Sequence, residues 1–403
     1  MKKRISVFLM LISCIALVSM VSGCSNSSPE TKPVQKEEQA SDKNEVKTED
    51  TNESLDKQAS DVKGKTIIDQ NEREVVLPEK TDNVVMTALP LPSIYALTGE
   101  SVDKIVGMHP GSKSAIENSI MGKMTPELIN KETGFIEGTD LNIEEVLKLE
   151  PDIAFYWGSY TNQQEQWEKA GIPAIAVKTQ GGGDALETLS SWLKIFGKVF
   201  DKESKVDEVI KYGEKTLADI QTKTDGIADG EKSKSVILFK HSESEIVVPG
   251  KGHYGQFWIE ATGGYNVARE INVTANVNME QVYKWNPKII FISSFTETMP
   301  QDLYDNNIKG QDWSKVDAVK NKRVYKIPVG VYRWYPPSGD VPLMMKWMAK
   351  HQYPELFEDL NMKEETKQYY KTFYNYELKD DDVEGILNPA KEAANGTGGL
   401  SKQ

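Results

Sequence analysis

The sequence predicts an α/β protein of two similar lobes, each built on a parallel-rich sheet, joined by one long rigid helix. Three observations predict it. Asn142–Phe155 (NIEEVLKLEPDIAF) returns as Asn278–Phe291 (NMEQVYKWNPKIIF) with seven of fourteen positions identical, against roughly one expected at average residue usage. The copies lie 136 residues apart, too far for a stacked solenoid, so one module is used twice. Short apolar runs alternate with helical patterns around each copy, the signature of parallel α/β layers. Between the copies, residues 203–224 carry Val206, Val209, Ile210, Leu217 and Ile220 along one helical side, and a helix of that length spans roughly 33 Å.

Each copy reads as a short helix feeding a strand. Asn142 and Asn278 are N-caps, with Glu145 and Gln281 three residues on in a capping-box pattern. Ile143, Val146 and Leu147 in one copy, and Met279, Val282 and Tyr283 in the other, form the apolar side. Pro151 and Pro287 end the helices. Ile153–Tyr156 and Ile289–Ile292 suit strands buried on both faces. Glu144 and Glu280 fall in the first turns, off the apolar side. The helix dipole accounts for one acid there, but less well for the same acid in both copies.

The first residues set the compartment. Lys2, Lys3 and Arg4 precede an apolar run from Ile5 to Met20, followed by Val21-Ser22-Gly23-Cys24. This is a secretory signal of about residues 1–23, and the small residues before Cys24 resemble a bacterial lipobox, which implies cleavage and lipidation at Cys24. The other cysteine, Cys14, lies inside the signal, so the mature chain offers no disulfide and no thiolate metal site. Losing the three signal cations lowers the formal net charge from −13 to −16, a poor balance for nucleic-acid binding and a repulsive one for anionic lipid. The lipid on Cys24, not a basic patch, is expected to hold the protein to the membrane. Residues 24–62 have almost nothing apolar and read as a disordered tether reaching roughly 35 Å.

The body follows in order. Thr66–Asp69 and Glu74–Leu77 read as a hairpin, Val84–Met86 and Lys104–Gly107 as strands, and Leu91–Leu97 as a helix between them. After the first copy, Gly171–Val177 gives another strand, and Asp184 with Glu187 caps a helix to about Val199. The first lobe is thus expected over 63–200, the connecting helix over 201–226 and the second lobe over 227–378. That lobe opens with strand Val236–Phe239, the glycine-rich loop Gly250–Gly255, a helix over Gln256–Thr262 and the second copy. Strand Arg323–Ile327, the loop Pro328–Asp340 and helices over Val341–Lys350 and Lys363–Tyr376 close it, and 379–403 reads as a flexible polar tail.

The signal, the tether, the two lobes and the long helix together resemble the substrate-binding lipoproteins of ABC importers for iron–siderophore, haem and cobalamin. The resemblance covers about residues 65–378 and is carried by Thr66–Leu77, the first copy, Glu168–Pro173, and Gly263-Gly264 before the second copy. It implies a helix-linked, Rossmann-like pair of lobes in a periplasmic-binding-protein fold, a ligand cleft between them, and no catalysis. It also implies docking to a permease through one acid on each lobe, and Glu144 and Glu280 match those positions. The expected state is a monomer without cofactor.

In open parallel sheets ligands sit beyond the carboxyl ends of the strands. There stand Trp157, Tyr160, His253, Tyr254, Tyr332, Arg333 and Trp334, the expected ligand-binding residues, with His109, His241 and Phe295 nearby. Arg333 offers a planar donor fork for anionic groups, and the aromatics offer flat apolar faces with polar tips. The structural alternative is that these aromatics pack locally and Arg333 pairs with a surface acid. The expected cargo is a ferric siderophore-type complex, with corrinoid, haem or a molybdate-type oxyanion as alternatives. Four scattered histidines form no evident metal site, and bare ferric ion held by Tyr254, Tyr332 or Tyr335 is a further alternative that requires several tyrosines to converge. A secreted hydrolase is the competing class, but neither G-x-S-x-G nor H-E-x-x-H occurs. A surface adhesin is the third.

Overall fold

The computed structural model describes residues 64–395; the signal, Cys24 and the tether lie outside the described residues. Two four-stranded, all-parallel sheets dominate. In the first the order is Ile105–Met108, Val84–Met86, Ile153–Trp157, Ala174–Val177; in the second it is Tyr265–Asn266, Lys234–Leu238, Ile289–Ile292, Val324–Lys326. The strand of each repeat copy is an interior strand of its sheet, flanked on both edges. Phe155 lies opposite Met86 and Ile175, and Phe291 opposite Ile237 and Tyr325. An interior parallel strand is covered on both faces, which is why these runs are apolar without alternation.

Side-chain alternation then separates two cores in each lobe. Ile153, Phe155, Ile175 and Val177 face a large core that also takes Ile237, Ile289 and Phe291 of the second sheet. Ala154, Tyr156, Ala174 and Ala176 face a smaller cluster behind the first sheet, and Val236, Leu238, Ile290 and Ile292 one behind the second. Helices Ala185–Phe200, Glu203–Thr224 and Val341–Gln352 contribute to the large shared core.

The connecting helix, Glu203–Thr224, packs on both of those helices. Gly213 permits one crossing: a Cβ there would stand 2.7 Å from Leu186 Cδ1. Lys346 ties the helix to the end of the chain by donating to Tyr212 Oη at 2.8 Å while pairing with Glu365. These contacts make the helix part of the packed body, consistent with a stiff link.

Asn142 accepts from the Glu145 amide at 3.3 Å and Asn278 from the Gln281 amide at 3.0 Å, so both helices are N-capped. The reciprocal half of the expected capping box is missing in the first copy, where the Asn142 amide donates to the Phe135 carbonyl and Glu145 pairs with Lys148. One apolar assignment fails. Leu147 is 50% exposed, and Val146 carries the burial of its helix instead. Leu147 is the last residue of the helix Ile143–Leu147, on its exposed side.

The tail also differs from expectation. Asp380–Leu387 is a helix and Lys391–Ala394 a turn of 3-10 helix. Val383 and Ile386, three apart, are buried on one side. Asp382 accepts from Lys123 at 2.7 Å, and the Ile386 carbonyl accepts from the Val329 amide at 3.1 Å. A run of three aspartates at a helix N-terminus is stabilised by the dipole, a signal that the polar composition hid. Helices Pro110–Glu117 and Thr161–Ala170 were likewise not expected, nor was the antiparallel sheet of Lys240–Ser242, Glu245–Pro249 and Thr274–Asn276.

Candidate functional site

Beyond the carboxyl ends of both parallel sheets lies a cavity of about 270 Å³. Leu89, Pro90, Trp157 and Trp192 wall it from the first lobe; Phe239, Lys240, His253, Tyr254, Val273 and Phe295 wall it from the second; Tyr332, Pro336 and Pro337 come from the loop after strand Val324–Lys326. Most of this wall is aromatic or aliphatic. Trp157 meets Trp192 edge to face at 5.6 Å, and Trp192 is fixed by its indole N–H to the Lys178 carbonyl at 3.0 Å. Phe239 packs against Phe295 and Tyr335 at 5.3 and 5.4 Å.

Phe295 is held in place from below. Its loop turns around Lys326, a buried ammonium that donates to the carbonyls of Ser293, Thr296 and Thr298 at 3.0, 2.6 and 2.9 Å. Burial pushes Lys326 down to about 7; in its charged form all three ammonium protons have acceptors in the loop.

His253 caps the helix Tyr254–Ala261: its Nδ1 accepts from the Gly255 amide at 3.0 Å. An acceptor Nδ1 in a neutral ring leaves the proton on Nε2. Burial pushes His253 down to about 4, so the ring is neutral at ordinary pH. No hydrogen bond engages Nε2 among the described residues, and the ring lines the cavity. His253 is thereby fixed as an N–H donor at the cavity wall. Tyr254 packs against the same ring at 4.0 Å, and burial raises its phenol.

Gly183 closes the lobes on this histidine. Its φ is +107°, and a Cβ there would lie 2.6 Å from the His253 carbonyl carbon and 2.8 Å from the Tyr254 nitrogen. The three-glycine run of the first lobe thus lets backbone meet backbone across the cleft. Tyr332 makes a second bridge: it is buried and clusters with Leu89 and Ala115 of the first lobe.

Several expected residues stand elsewhere. Arg333 is buried at 1% exposure; it donates through Nη2 to the Asn395 carbonyl at 2.7 Å and lies over the rings of Phe295 and Tyr332 at 5.4 and 5.6 Å. It does not line the cavity, and among the described residues it pairs with no acid. Trp334 is fully buried and gives its indole proton to Asp340 at 2.8 Å, where the Val331 amide and the Tyr370 hydroxyl also converge. That carboxylate, pushed up to about 6 by burial, folds the loop on itself and turns Trp334 inward. Tyr160 precedes helix Thr161–Ala170, outside the cavity wall. His109 caps the helix Pro110–Glu117, and His241 is held between Thr298 and Gln311 at 2.8 Å each. Trp157, His253, Tyr254 and Tyr332 are the expected residues that the structure brings together.

Sequence reasoning missed Lys240, the cation of the cavity wall. Its Nζ lies 5.3 Å from the Phe239 ring centroid, and among the described residues no carboxylate pairs with it. The available signal was its place directly after the run Val236–Phe239, at the carboxyl end of a strand. Among the described residues no group of three His, Cys, Asp or Glu side chains comes together to hold a metal ion. On the outer surface, Glu144 and Glu280 are exposed at the second position of their helices, and neither makes an ion pair among the described residues.

Comparison with known proteins gives this geometry a context. Residues 97–329 match the model of a family described as periplasmic binding protein. The molybdate-binding protein MolA of Haemophilus influenzae is 26% identical over 79% of this chain and 93% of its own length. The ABC transporter substrate-binding lipoprotein YvrC of Bacillus subtilis is 23% identical over 64% of this chain and 82% of its own. The crystal structure of a periplasmic solute-binding protein from Veillonella parvula superposes with a TM-score of 0.74 and 32% identity, covering 83% of this chain and 99% of that one.

Proposed function

The chain belongs to the periplasmic binding protein family, and from that premise we propose that this solute receptor of an ABC importer captures an organic metal chelate with an anionic edge, of the iron(III)–siderophore type. The cavity wall carries the reading. It is mostly aromatic and aliphatic, with one unpaired cation, Lys240, and one fixed donor, His253. Flat apolar walls suit the organic part of a chelate. Lys240 serves its charge and the His253 Nε2–H a ligand oxygen. Lys240 takes the part that the sequence suggested for Arg333. A cavity of about 270 Å³ admits a compact chelate or one edge of a larger one.

The same wall argues against bare ferric ion. Among the described residues no group of three His, Cys, Asp or Glu side chains comes together to hold a metal ion, Tyr335 does not line the cavity beside Tyr254 and Tyr332, and the Nδ1 of His253 already accepts the Gly255 amide. In this reading Trp157, Tyr254 and Tyr332 cover the ligand, Glu144 and Glu280 dock the two lobes onto the permease, and a lipid on Cys24 holds the receptor at the membrane through the segment 24–62. A second reading, a molybdate-type oxyanion held by Lys240 and His253, is favoured by the likeness to MolA over most of that protein's length.

The test is tryptophan fluorescence of the body, titrated with ferric catecholate, ferric hydroxamate, haem, cobalamin and molybdate and checked by calorimetry. Strong quenching by an organic chelate, with Trp157 and Trp192 in the wall, supports the first reading. Heat and quenching with molybdate alone replace it with the second.

A further inference from the structure

We infer that Val273 is a specificity-determining residue of the cavity, held in a strained backbone conformation so that its side chain meets the apolar part of the ligand. The inference deepens the ligand reading above and rests on it.

Among the described residues, eight other than glycine have positive φ, and seven of them are Asn, Asp, Glu or Lys. Val273, at φ +56°, is the β-branched one. Two γ-methyl groups crowd the neighbouring carbonyls in this region, so a β-branched residue there is a genuine outlier. Strain of this kind collects where a site requires it. Folding does not require it here, because Val273 is 49% exposed and outside the packed cores. What Val273 does do is line the cavity.

The surrounding backbone is built to hold it. The Val273 amide donates to the Lys251 carbonyl at 2.8 Å, the Gly250 amide to the Val273 carbonyl at 2.9 Å, and the Lys251 amide to the Ile271 carbonyl at 2.7 Å. Gly250 allows this approach, since a Cβ there would lie 2.1 Å from the Ile271 oxygen. Thr274, the next residue, also lines the cavity and begins the strand paired to Glu245–Pro249. The strained residue is thus pinned on both sides and lines the same cavity as Lys240 and His253.

Asparagine tolerates the left-handed region, so Val273→Asn relieves the strain and removes the methyls. Val273→Ile keeps the strain and adds a methylene. Both are compared with wild type by calorimetry on the same five probes and by thermal unfolding without ligand. Val273→Asn is expected to raise Tm by about 1–2 °C and to weaken the tightest-binding probe about three- to tenfold. Val273→Ile is expected to leave Tm within about 1 °C and to change the affinity ratio between the organic chelates and molybdate by at least about threefold. Wild-type affinities in both variants overturn the specificity role while leaving the ligand reading intact. A lower Tm for Val273→Asn overturns the strain argument. Wild type that binds none of the probes removes the ligand reading, and this inference with it.

Discussion

The two lobes use the same device and put it to different ends. His109-Pro110-Gly111 in the first lobe and His253-Tyr254-Gly255 in the second each place a histidine before a helix. In each, Nδ1 accepts the glycine amide two residues on, at 2.9 and 3.0 Å. Both rings are therefore Nε2–H tautomers when neutral. His109 spends its other side on the Gly138 backbone. His253 has no such partner and lines the cavity. A cap is local and appears twice; a free N–H donor at the cavity wall exists only where the tertiary fold leaves the second nitrogen uncovered. The acids run the other way. Glu144 and Glu280 occupy the same helical position in both copies and remain exposed in both, so at the outer surface the lobes stay equivalent.

That equivalence is broken most severely by charge. Reversing Glu144 and Glu280 together to lysine is expected to lower transport in cells by more than about tenfold through like-charge contact with the permease. Ligand affinity measured on the isolated protein stays at its wild-type value. Either single reversal gives an intermediate loss. Full transport by the double variant removes the docking role.

The contact between the lobes comes next. Gly183→Ala puts a Cβ onto the His253 and Tyr254 backbone at a φ that alanine resists. It is expected to cost about 2–4 kcal/mol of stability and to open the cleft, seen as a larger radius of gyration by solution scattering. The same substitution at Gly182, where a Cβ meets nothing within 4 Å, costs backbone strain alone and leaves the radius unchanged.

The two histidine caps separate by a paired measurement. His109→Ala and His253→Ala should each cost about 1 kcal/mol of stability in chemical denaturation. His253→Ala alone should also weaken ligand binding about three- to tenfold, the size of one neutral hydrogen bond. Equal affinities in the two variants would place His253 beside His109 as a structural cap.

The smallest effect is in pH. Burial holds His253 and His351, both in the second lobe, down at about 4, against an ordinary value of about 6.5. A depressed base contributes stability that is complete above the ordinary value and is lost as pH falls through the depressed one. Unfolding free energy should therefore decline between pH 6.5 and pH 4. His351→Gln should flatten that slope in urea titrations at pH 7 and pH 4.5.

The sequence by itself determined the lobes, the repeated helix–strand module, its caps and the long helix, because each rests on local periodicity, capping and burial on both faces of a strand. The helix Glu203–Thr224 lies where its apolar side indicated, and Ile153–Tyr156 and Ile289–Ile292 are interior strands as their composition required. It also pointed to the strand ends, beyond which a cavity lies, since strand ends are readable. Only the tertiary structure decided which side chains at those ends face the cavity. Tyr332, Arg333 and Trp334 are consecutive, yet only Tyr332 reaches it. Asp340, six residues beyond Trp334, takes the indole, and the Asn395 carbonyl, far along the chain, takes the guanidinium. In an irregular loop no period fixes side-chain direction; distant partners fix it. The same reason hid Lys240 and Val273, which reach the cavity wall only through the fold.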